Sequence, residues 1–151
     1  MNNDQTFATV LDLMRKCEWN DRAKQSALET AYGAVVNGNT WRVLGFTDAA
    51  MNALRECDWN FGEVKPVRSH VHQRRVTYMN VINSTMSASE AIDYIWERDV
   101  AVMSLRSENK DDGSLTLDHP VDQTMELFRA AGVGYKCSKK KEVAYLQENF
   151  T

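Results

Sequence analysis

The stretch from residue 65 to residue 75, KPVRSHVHQRR, concentrates side chains that bind anions. Its cationic and imidazole side chains are Lys65, Arg68, His70, His72, Arg74 and Arg75. Lysine and arginine neutralise phosphate groups and release condensed counterions, and arginine adds bidentate hydrogen bonding. We therefore predict that this basic segment contacts a polyanion, and nucleic acid is the expected partner.

A second basic group lies near the end of the sequence. Its members are Lys136, Lys139, Lys140 and Lys141. The formal net charge is −3, so the chain as a whole is not polycationic, yet eight of its eighteen lysines and arginines fall in these two windows. Local clustering of this kind is typical of an anion site. If the fold joins the two groups, they form one surface; otherwise both are solvated faces that pair with the acid-rich middle of the chain.

The backbone geometry of the basic segment has two solutions. A helix that begins at Pro66 forms a basic flank from three side chains: Arg68, His72 and Arg75. A strand through the segment instead aligns four side chains on one face: Arg68, His70, His72 and Arg74. We favour the helix, because apolar residues continue with helical spacing to Ile82, although Arg74 then falls inside the apolar stripe.

One pair of histidines suggests metal binding. In a strand, His70 and His72 point the same way and would chelate one ion. Any one of three acidic or imidazole side chains would complete a site that activates water: Glu108, Asp118 or His119. The arginines beside the histidines disfavour a bound cation, so we predict no resident metal.

Two other groupings suggest catalysis. Glu108 and Lys110, with Asp99 upstream, resemble the acid-x-lysine pair of metal-dependent nucleases, in which the acid ligates magnesium and the lysine steadies water or phosphate. Here the turn that follows leaves little room for the usual hairpin. Asp118 and His119 would make a general acid–base pair, but adjacent side chains usually point apart. We therefore predict no catalytic residue.

The cysteines and the apolar runs exclude several protein classes. Cys17, Cys57 and Cys137 are widely spaced and odd in number, which argues against a disulfide framework and a standard zinc module. The N-terminus lacks the basic and apolar regions of a signal peptide, and no apolar run approaches the ~20 residues of a membrane span. We expect a soluble cytoplasmic protein without a cofactor and without membrane contact.

Apolar spacing and capping signals predict an α+β fold with about six helices and one small antiparallel sheet. The runs 100–105 and 114–118 flank an Asp-Gly turn, which predicts a hairpin around residues 100–118. Further helices are expected over residues 121–131 and 139–150. The predicted helix N-caps are Asp21, Thr47 and Ser87 or Ser89.

No low-complexity segment or linker divides the sequence. We therefore predict one globular domain over residues 1–151, which divides, if at all, into a helical half, 1–85, and a mixed half, 86–151. One internal echo is visible, because LMRKCEWN at 13–20 returns as ALRECDWN at 53–60. Either two helix ends share the same stop signal, or a helix-turn unit was duplicated.

The leading functional hypothesis is a small cytoplasmic nucleic-acid-binding protein that uses the basic segment and the lysine group. One alternative is a non-catalytic regulator or inhibitor that docks on another protein, which the four tryptophans and the lack of a recognisable active site favour. A second alternative is a metal-dependent nuclease. Catalysis is the less favoured prediction.

Overall fold

The computed structural model describes residues 2–38, 41–108, 115–125, 127–128 and 139–151. Within these residues it contains seven α-helices and a four-stranded mixed sheet, which confirms the predicted α+β class. The helices are α1 (Asn3–Lys16), α2 (Asp21–Val35), α3 (Asp48–Glu56), α4 (Phe61–Val64), α5 (Arg74–Ile82), α6 (Ala88–Arg98) and α7 (Lys139–Phe150). The strands are β1 (Arg42–Phe46), β2 (Val67–His70), β3 (Val100–Ser104) and β4 (His119–Pro120). None of the described helices is long and apolar enough to cross a membrane.

Contacts within the chain group these elements into two compact units. A helical unit, Met1–Thr40 and His72–Asp99, contains α1, α2, α5 and α6. A sheet unit, Trp41–Val71 and Val100–Thr151, contains the four strands with α3, α4 and α7. The number of independent domains stays a prediction. The grouping does not follow chain order, because α5 and α6 belong with the two N-terminal helices.

Capping residues define where the helices of the helical unit begin. Asn2 accepts a hydrogen bond from the Gln5 backbone N–H at 2.8 Å, and the Gln5 side chain accepts one from the Asn2 N–H at 3.1 Å. This capping box starts α1, and Ser87 with Glu90 forms the same motif at α6. The N-cap of α2 is Asn20, one residue before the predicted cap. Each such cap contributes about 1 kcal/mol, because it satisfies a backbone donor that the helix leaves open.

The helical unit packs its apolar stripes into one core. On α1, Phe7, Leu11 and Met14 follow one another at intervals of three and four residues and are buried. The other buried side chains come from α2, α5 and α6: Leu28, Ala31, Tyr32, Tyr78, Val81, Ile82, Ala91 and Ile95. This core fixes α5, whose first turn carries Arg74 and Arg75.

The strands of the sheet unit lie in the order β2-β3-β1-β4. Strands β1 and β3 are parallel, whereas β2 pairs antiparallel with β3 and β4 pairs antiparallel with β1. Every residue of β3 is buried, as expected for a central strand with the largely apolar sequence VAVMS. Among the described residues, β2 and β4 are therefore the outer strands of the sheet.

One core holds the sheet unit together. Val43, Phe46 and Met103 contribute to it from β1 and β3. Helices α3, α4 and α7 contribute Ala50, Met51, Leu54, Phe61, Tyr145 and Leu146. Gly45 lies where β4 approaches β1, and a Cβ atom there would collide with the carbonyl oxygen of His119. A side chain at this position would therefore push β4 away from the sheet.

The predicted hairpin around residues 100–118 does not form among the described residues. Strand β3 is bonded to β2 on one side and to β1 on the other, so neither of its edges is open to a hairpin partner. The segment that follows the predicted turn pairs with β1 instead, where the Asp118 N–H donates to the Phe46 carbonyl at 3.1 Å. The sheet is consequently mixed and not purely antiparallel. The turn itself, 109–114, lies outside the described residues.

The predicted helix from Pro66 to Ile82 is wrong in its first half and correct in its second. Residues Val67–His70 form β2, because pairing with β3 satisfies the backbone groups of every second residue, and α5 begins only at Arg74. The predicted helix over 121–131 is shorter than expected in the described residues, where a 3₁₀ helix covers Gln123–Met125. For the basic segment, a strand was the alternative that the sequence left open.

Candidate nucleic-acid interface

The basic segment is divided between the two units. Its strand half, in the sheet unit, consists of Lys65, Arg68 and His70. Its helix half, in the helical unit, consists of His72, Arg74 and Arg75. The six side chains are therefore not aligned along one strand or one helix, and each half has its own surroundings.

Strand β2 sets the direction of the Arg68 and His70 side chains. Successive strand residues face opposite sides, so Arg68 and His70 share one face while Ser69 faces the other and is buried. The Ser69 hydroxyl lies 2.7 Å from the Ser104 hydroxyl of β3, and this buried hydrogen bond helps to fix the register. Lys65 precedes the strand as the exposed, left-handed cap of α4, with a φ of 50°.

The backbone of β2 offers a second set of polar groups. The Val71 N–H donates to the Val100 carbonyl at 3.1 Å, so residues 67, 69 and 71 make the bonded pairs with β3. The alternate residues of an antiparallel pair direct their N–H and C=O groups to the other side. The backbone groups of Arg68 and His70 therefore point away from β3.

Trp41, directly before β1, brings the two side chains together. The guanidinium carbon of Arg68 lies 4.5 Å from the Trp41 ring centroid. The His70 ring meets the same ring edge to face, with 4.4 Å between centroids and 77° between planes. All three side chains are half-buried. The φ of Trp41 is 66°, which costs a bulky residue on the order of 1–3 kcal/mol, and the ring contacts offset part of that strain.

This strand-half cluster, Trp41 with Arg68 and His70, suits an anion. A guanidinium group over an aromatic ring keeps its N–H donors in its own plane, where they can reach a phosphate. Arg68 Nη1 and His70 Nδ1 are buried, so a phosphate would be held by the other two guanidinium nitrogens and by His70 Nε2. The cluster therefore has the chemistry of a phosphate site, and it lies entirely within the sheet unit.

Arg74, in the helix half, lies beside carboxylates. Its Nε atom is 3.8 Å from Glu29 Oε1 and 3.8 Å from Asp99 Oδ1. Asp99 is only 5% exposed. The Arg74 guanidinium carbon also lies 5.7 Å from the Tyr78 ring centroid. Burial raises the pKa of Tyr78, and the charge of Arg74 acts in the opposite direction. Because Arg74 lies close to Glu29 and Asp99, its charge compensates two acids inside the helical unit.

Arg75 and His72 lie at the surface of the helical unit. Arg75 Nη2 is 3.2 Å from Asp21 Oδ2, and the two side chains are 72% and 54% exposed. An exposed pair of this kind contributes at most about 1 kcal/mol. The pair borders an open cleft whose other lining residues are Asn20, Arg22, Gln25, Ser26 and Glu29. His72 is exposed in the turn before α5.

The lysine group is described only in part. Lys136 lies outside the described residues, and so does the side chain of Lys139. Lys140 and Lys141 are exposed on the first turn of α7, which packs into the core of the sheet unit through its buried residues. These two lysines therefore belong to the same unit as the strand half. Their role in a joint phosphate-binding surface stays a prediction.

The residues considered for metal chemistry have other contacts. Within the described part of the chain, no group of three or more His, Cys, Asp or Glu residues is arranged to hold a metal ion. Glu108 accepts hydrogen bonds from the Thr47 hydroxyl at 3.0 Å and from the Leu105 N–H at 2.7 Å. It thereby joins the end of β3 to the start of α3. Lys110 lies outside the described residues.

His119 and Asp118 both contact Asp48, at the start of α3. His119 Nε2 lies 2.6 Å from Asp48 Oδ1. The Asp118 carboxylate accepts hydrogen bonds from the Asp48 backbone N–H at 2.8 Å and from the Thr116 hydroxyl at 2.8 Å. The Asp48 N–H above all, and then this hydroxyl, lower the pKa of Asp118. Both residues hold β4 against the start of α3, where Thr47 is the N-cap as predicted.

Trp41 is the site residue that the sequence does not reveal. It is far from Arg68 and His70 in the chain, and they meet only because β2 pairs with β3 and β3 pairs with β1. Comparisons with protein families, with curated proteins and with solved structures find no match. The function is therefore inferred from the geometry of the site itself.

Proposed function

We propose that the protein binds nucleic acid through the strand-half cluster, where Arg68 and His70 contact phosphate groups and Lys65 adds a second positive charge. The observation that carries this proposal is the packing of Arg68 and His70 against one indole ring, on one face of an outer strand. Phosphate contacts supply most of the affinity of non-specific complexes and position the specific ones. The expected compartment is the cytoplasm.

The neighbours of the individual arginines support the strand half as the binding site. In the sheet unit, Arg68 packs against the Trp41 ring. In the helical unit, the arginines of the helix half lie beside three carboxylates, those of Asp21, Glu29 and Asp99. Carboxylates repel a polyanion, so the helix half is the weaker of the two candidates.

Fluorescence anisotropy with labelled DNA and RNA across a salt series tests this proposal. For the wild type, the slope of log K against log salt should be negative, near −0.9 for each duplex phosphate contact and about −0.7 for each single-strand contact. Changing Arg68→Ala and His70→Ala together should weaken binding at low salt by about tenfold and reduce the slope by about 0.7 to 0.9, because one positive charge is removed. Absence of wild-type binding at low salt would overturn the proposal.

Arg98 provides a matched control. Its guanidinium carbon lies 3.6 Å from the Tyr94 ring centroid, so Arg98→Ala removes a guanidinium–aromatic contact from the helical unit. If nucleic acid binds at the strand-half cluster, this variant should keep its affinity within about twofold of the wild type. An equal loss in the Arg68 and Arg98 variants would show that binding follows total charge and not the cluster.

Docking on another protein is the second candidate function, and one observation favours it. Trp19 and Leu13, both in the helical unit, are 55% and 54% exposed. Exposed tryptophan is typical of the residues that dominate protein interfaces. A regulator or inhibitor that docks there should keep its partner after the change of Arg68 and His70, and lose it on Trp19→Ala. Co-precipitation with each variant distinguishes the two functions.

A further inference from the structure

We infer that the strand-half cluster takes an extended single strand of nucleic acid in preference to a duplex. This inference rests on the proposed function and narrows it to one class of ligand. Two features of the cluster carry it: the half-buried position of its side chains and the aromatic ring against which they pack. The spacing of Arg68 and His70 along β2 is compatible with it.

Strand β2 places two phosphate-binding side chains in a row. Arg68 and His70 are two residues apart and share one face, so their Cα atoms are about 7 Å apart along the strand. This spacing lets them contact successive phosphates of one nucleic-acid strand, as binding grooves for single strands do. Lys65 is exposed just before the strand and supplies a further positive charge.

The half-buried position of Arg68 and His70 favours a flexible ligand. A duplex is a stiff rod with a persistence length of about 50 nm, and its phosphates lie on a convex surface. A single strand can bend so that successive phosphates enter a shallow site. Contact inside a duplex groove needs a protruding α-helix or a two-stranded ribbon. Strand β2 is instead one four-residue strand bonded into the sheet.

Trp41 and Arg68 together add a stacking surface. The bases of a single strand expose their faces and stack on aromatic rings or guanidinium planes. Arg68 already lies 4.5 Å from the centroid of the Trp41 ring, so a base on the outer side of the guanidinium group would continue the same stack. In a duplex, neighbouring base pairs cover those faces. The cluster therefore offers a single strand two kinds of contact and offers a duplex only one.

Two labelled probes test the inference on the full-length protein. One is an oligothymidine of about 12 nucleotides, and the other is the same strand annealed to its complement. We expect the single strand to bind about tenfold more tightly at low salt. Its slope of log K against log salt should be about −1.4, because the charges of Arg68 and Lys65 contribute about −0.7 each.

Two conservative variants separate the two kinds of contact. Arg68→Gln keeps the length of the side chain but removes its charge, so it should weaken single-strand binding by about fivefold and reduce the slope by about 0.7. Trp41→Phe keeps an aromatic face beside Arg68 and should retain affinity within about threefold. Circular dichroism checks that each variant is folded, and Arg98→Ala controls for the loss of one charge.

The outcomes distinguish this inference from the proposal on which it rests. Equal affinity for the two probes, or tighter binding of the duplex, overturns the preference and leaves nucleic-acid binding in place. Failure of both probes to bind the wild type overturns the proposed function itself. A single-strand preference that persists in Arg68→Gln with an unchanged slope also overturns the inference, because the cluster is then not the site.

Discussion

The strand half and the helix half of the basic segment share their composition but differ in their surroundings. Arg68 packs over an indole ring, 4.5 Å from its centroid. Arg74 lies 3.8 Å from each of two carboxylates, one of which is buried. Both neighbours stabilise a guanidinium group, yet an aromatic ring leaves its positive charge in place, whereas carboxylates cancel it. The density of basic residues in a sequence therefore does not measure the charge that they present to a ligand.

Loss of Arg74 should have the largest effect on stability. Arg74→Ala removes the positive charge that lies 3.8 Å from Asp99, a carboxylate that is only 5% exposed. Breaking a buried pair costs about 3–5 kcal/mol, and the 21% exposure of the Arg74 side chain lowers our expectation to about 2–3 kcal/mol. Urea unfolding followed by circular dichroism measures this loss in the free energy of unfolding.

Arg75 supplies the control for this stability test. Its partner Asp21 is exposed, so Arg75→Ala should change the free energy of unfolding by no more than about 0.5 kcal/mol. Adding Asp99→Asn to Arg74→Ala removes the buried negative charge and should recover about half of the loss. Equal destabilisation by the two alanine variants would contradict the role assigned to the carboxylates around Arg74.

Nucleic-acid binding should depend on the strand half and not on the helix half, which reverses the order expected for stability. Arg68→Ala should weaken binding by about fivefold and reduce the salt slope by about 0.7 to 0.9, because it removes one phosphate contact. Arg75→Ala should leave affinity within about twofold of the wild type, since Asp21 already faces that charge. Anisotropy titrations measure both variants. If Arg75→Ala lost as much affinity as Arg68→Ala, the contrast between the halves would not hold.

Acid should destabilise both units by a smaller amount, because each unit has a carboxylate that accepts a hydrogen bond from a backbone N–H group at the start of a helix. The Ser87 backbone N–H lowers the pKa of Glu90 in the helical unit, and the Asp48 backbone N–H lowers the pKa of Asp118 in the sheet unit. A carboxylate with a lowered pKa in the folded state adds stability that is present above its ordinary pKa, near 4. That stability is lost as pH falls through the folded-state value.

Glu90→Gln and Asp118→Asn test this dependence on pH. Each variant removes a group that must be protonated in acid, so its Tm should fall less steeply than the wild-type Tm between about pH 5 and pH 3. The two variants should behave alike, because backbone N–H groups act on both carboxylates. A variant whose Tm falls as steeply as that of the wild type rules out a contribution from its carboxylate.

Local parts of the fold could be predicted because they depend on neighbours in the chain. Thr47 and Ser87 cap helices as predicted, since an N-cap hydroxyl bonds to a backbone N–H only a few residues away. The hairpin around residues 100–118 was wrong for the opposite reason. Strand β3 pairs with β1, which is distant in the chain, and neither an apolar run nor a turn signal specifies a distant partner.

The candidate site, like the fold, could be predicted only where it depends on neighbours in the chain. Strand alternation placed Arg68 and His70 on one face in the alternative that the sequence left open, and β2 has this geometry. The helical spacing that led to Ile82 belongs to α5, which begins only at Arg74. The contact with Trp41 depends on two successive strand pairings, so no local pattern could reveal it.

The variant with the smallest expected effect tests the difference between the two halves most directly, because it changes a neighbour of Arg75 and leaves Arg75 in place. Asp21→Asn removes the carboxylate that lies 3.2 Å from Arg75, at a cost in stability of no more than about 0.5 kcal/mol. If carboxylates are what suppress the helix half, Arg75 should gain a phosphate contact, with about twofold higher single-strand affinity and a slope more negative by up to about 0.7.

The double variant Asp21→Asn with Arg75→Ala shows whether that gain belongs to Arg75. It carries the wild-type net charge, so its affinity should return to the wild-type value if the released guanidinium group makes the new contact. A gain that persists in the double variant would come from the loss of an acid alone. If Asp21→Asn brings no gain in affinity, the location of the helix half keeps it from nucleic acid, and the neighbouring carboxylate does not. The two halves would then differ in geometry and not in charge.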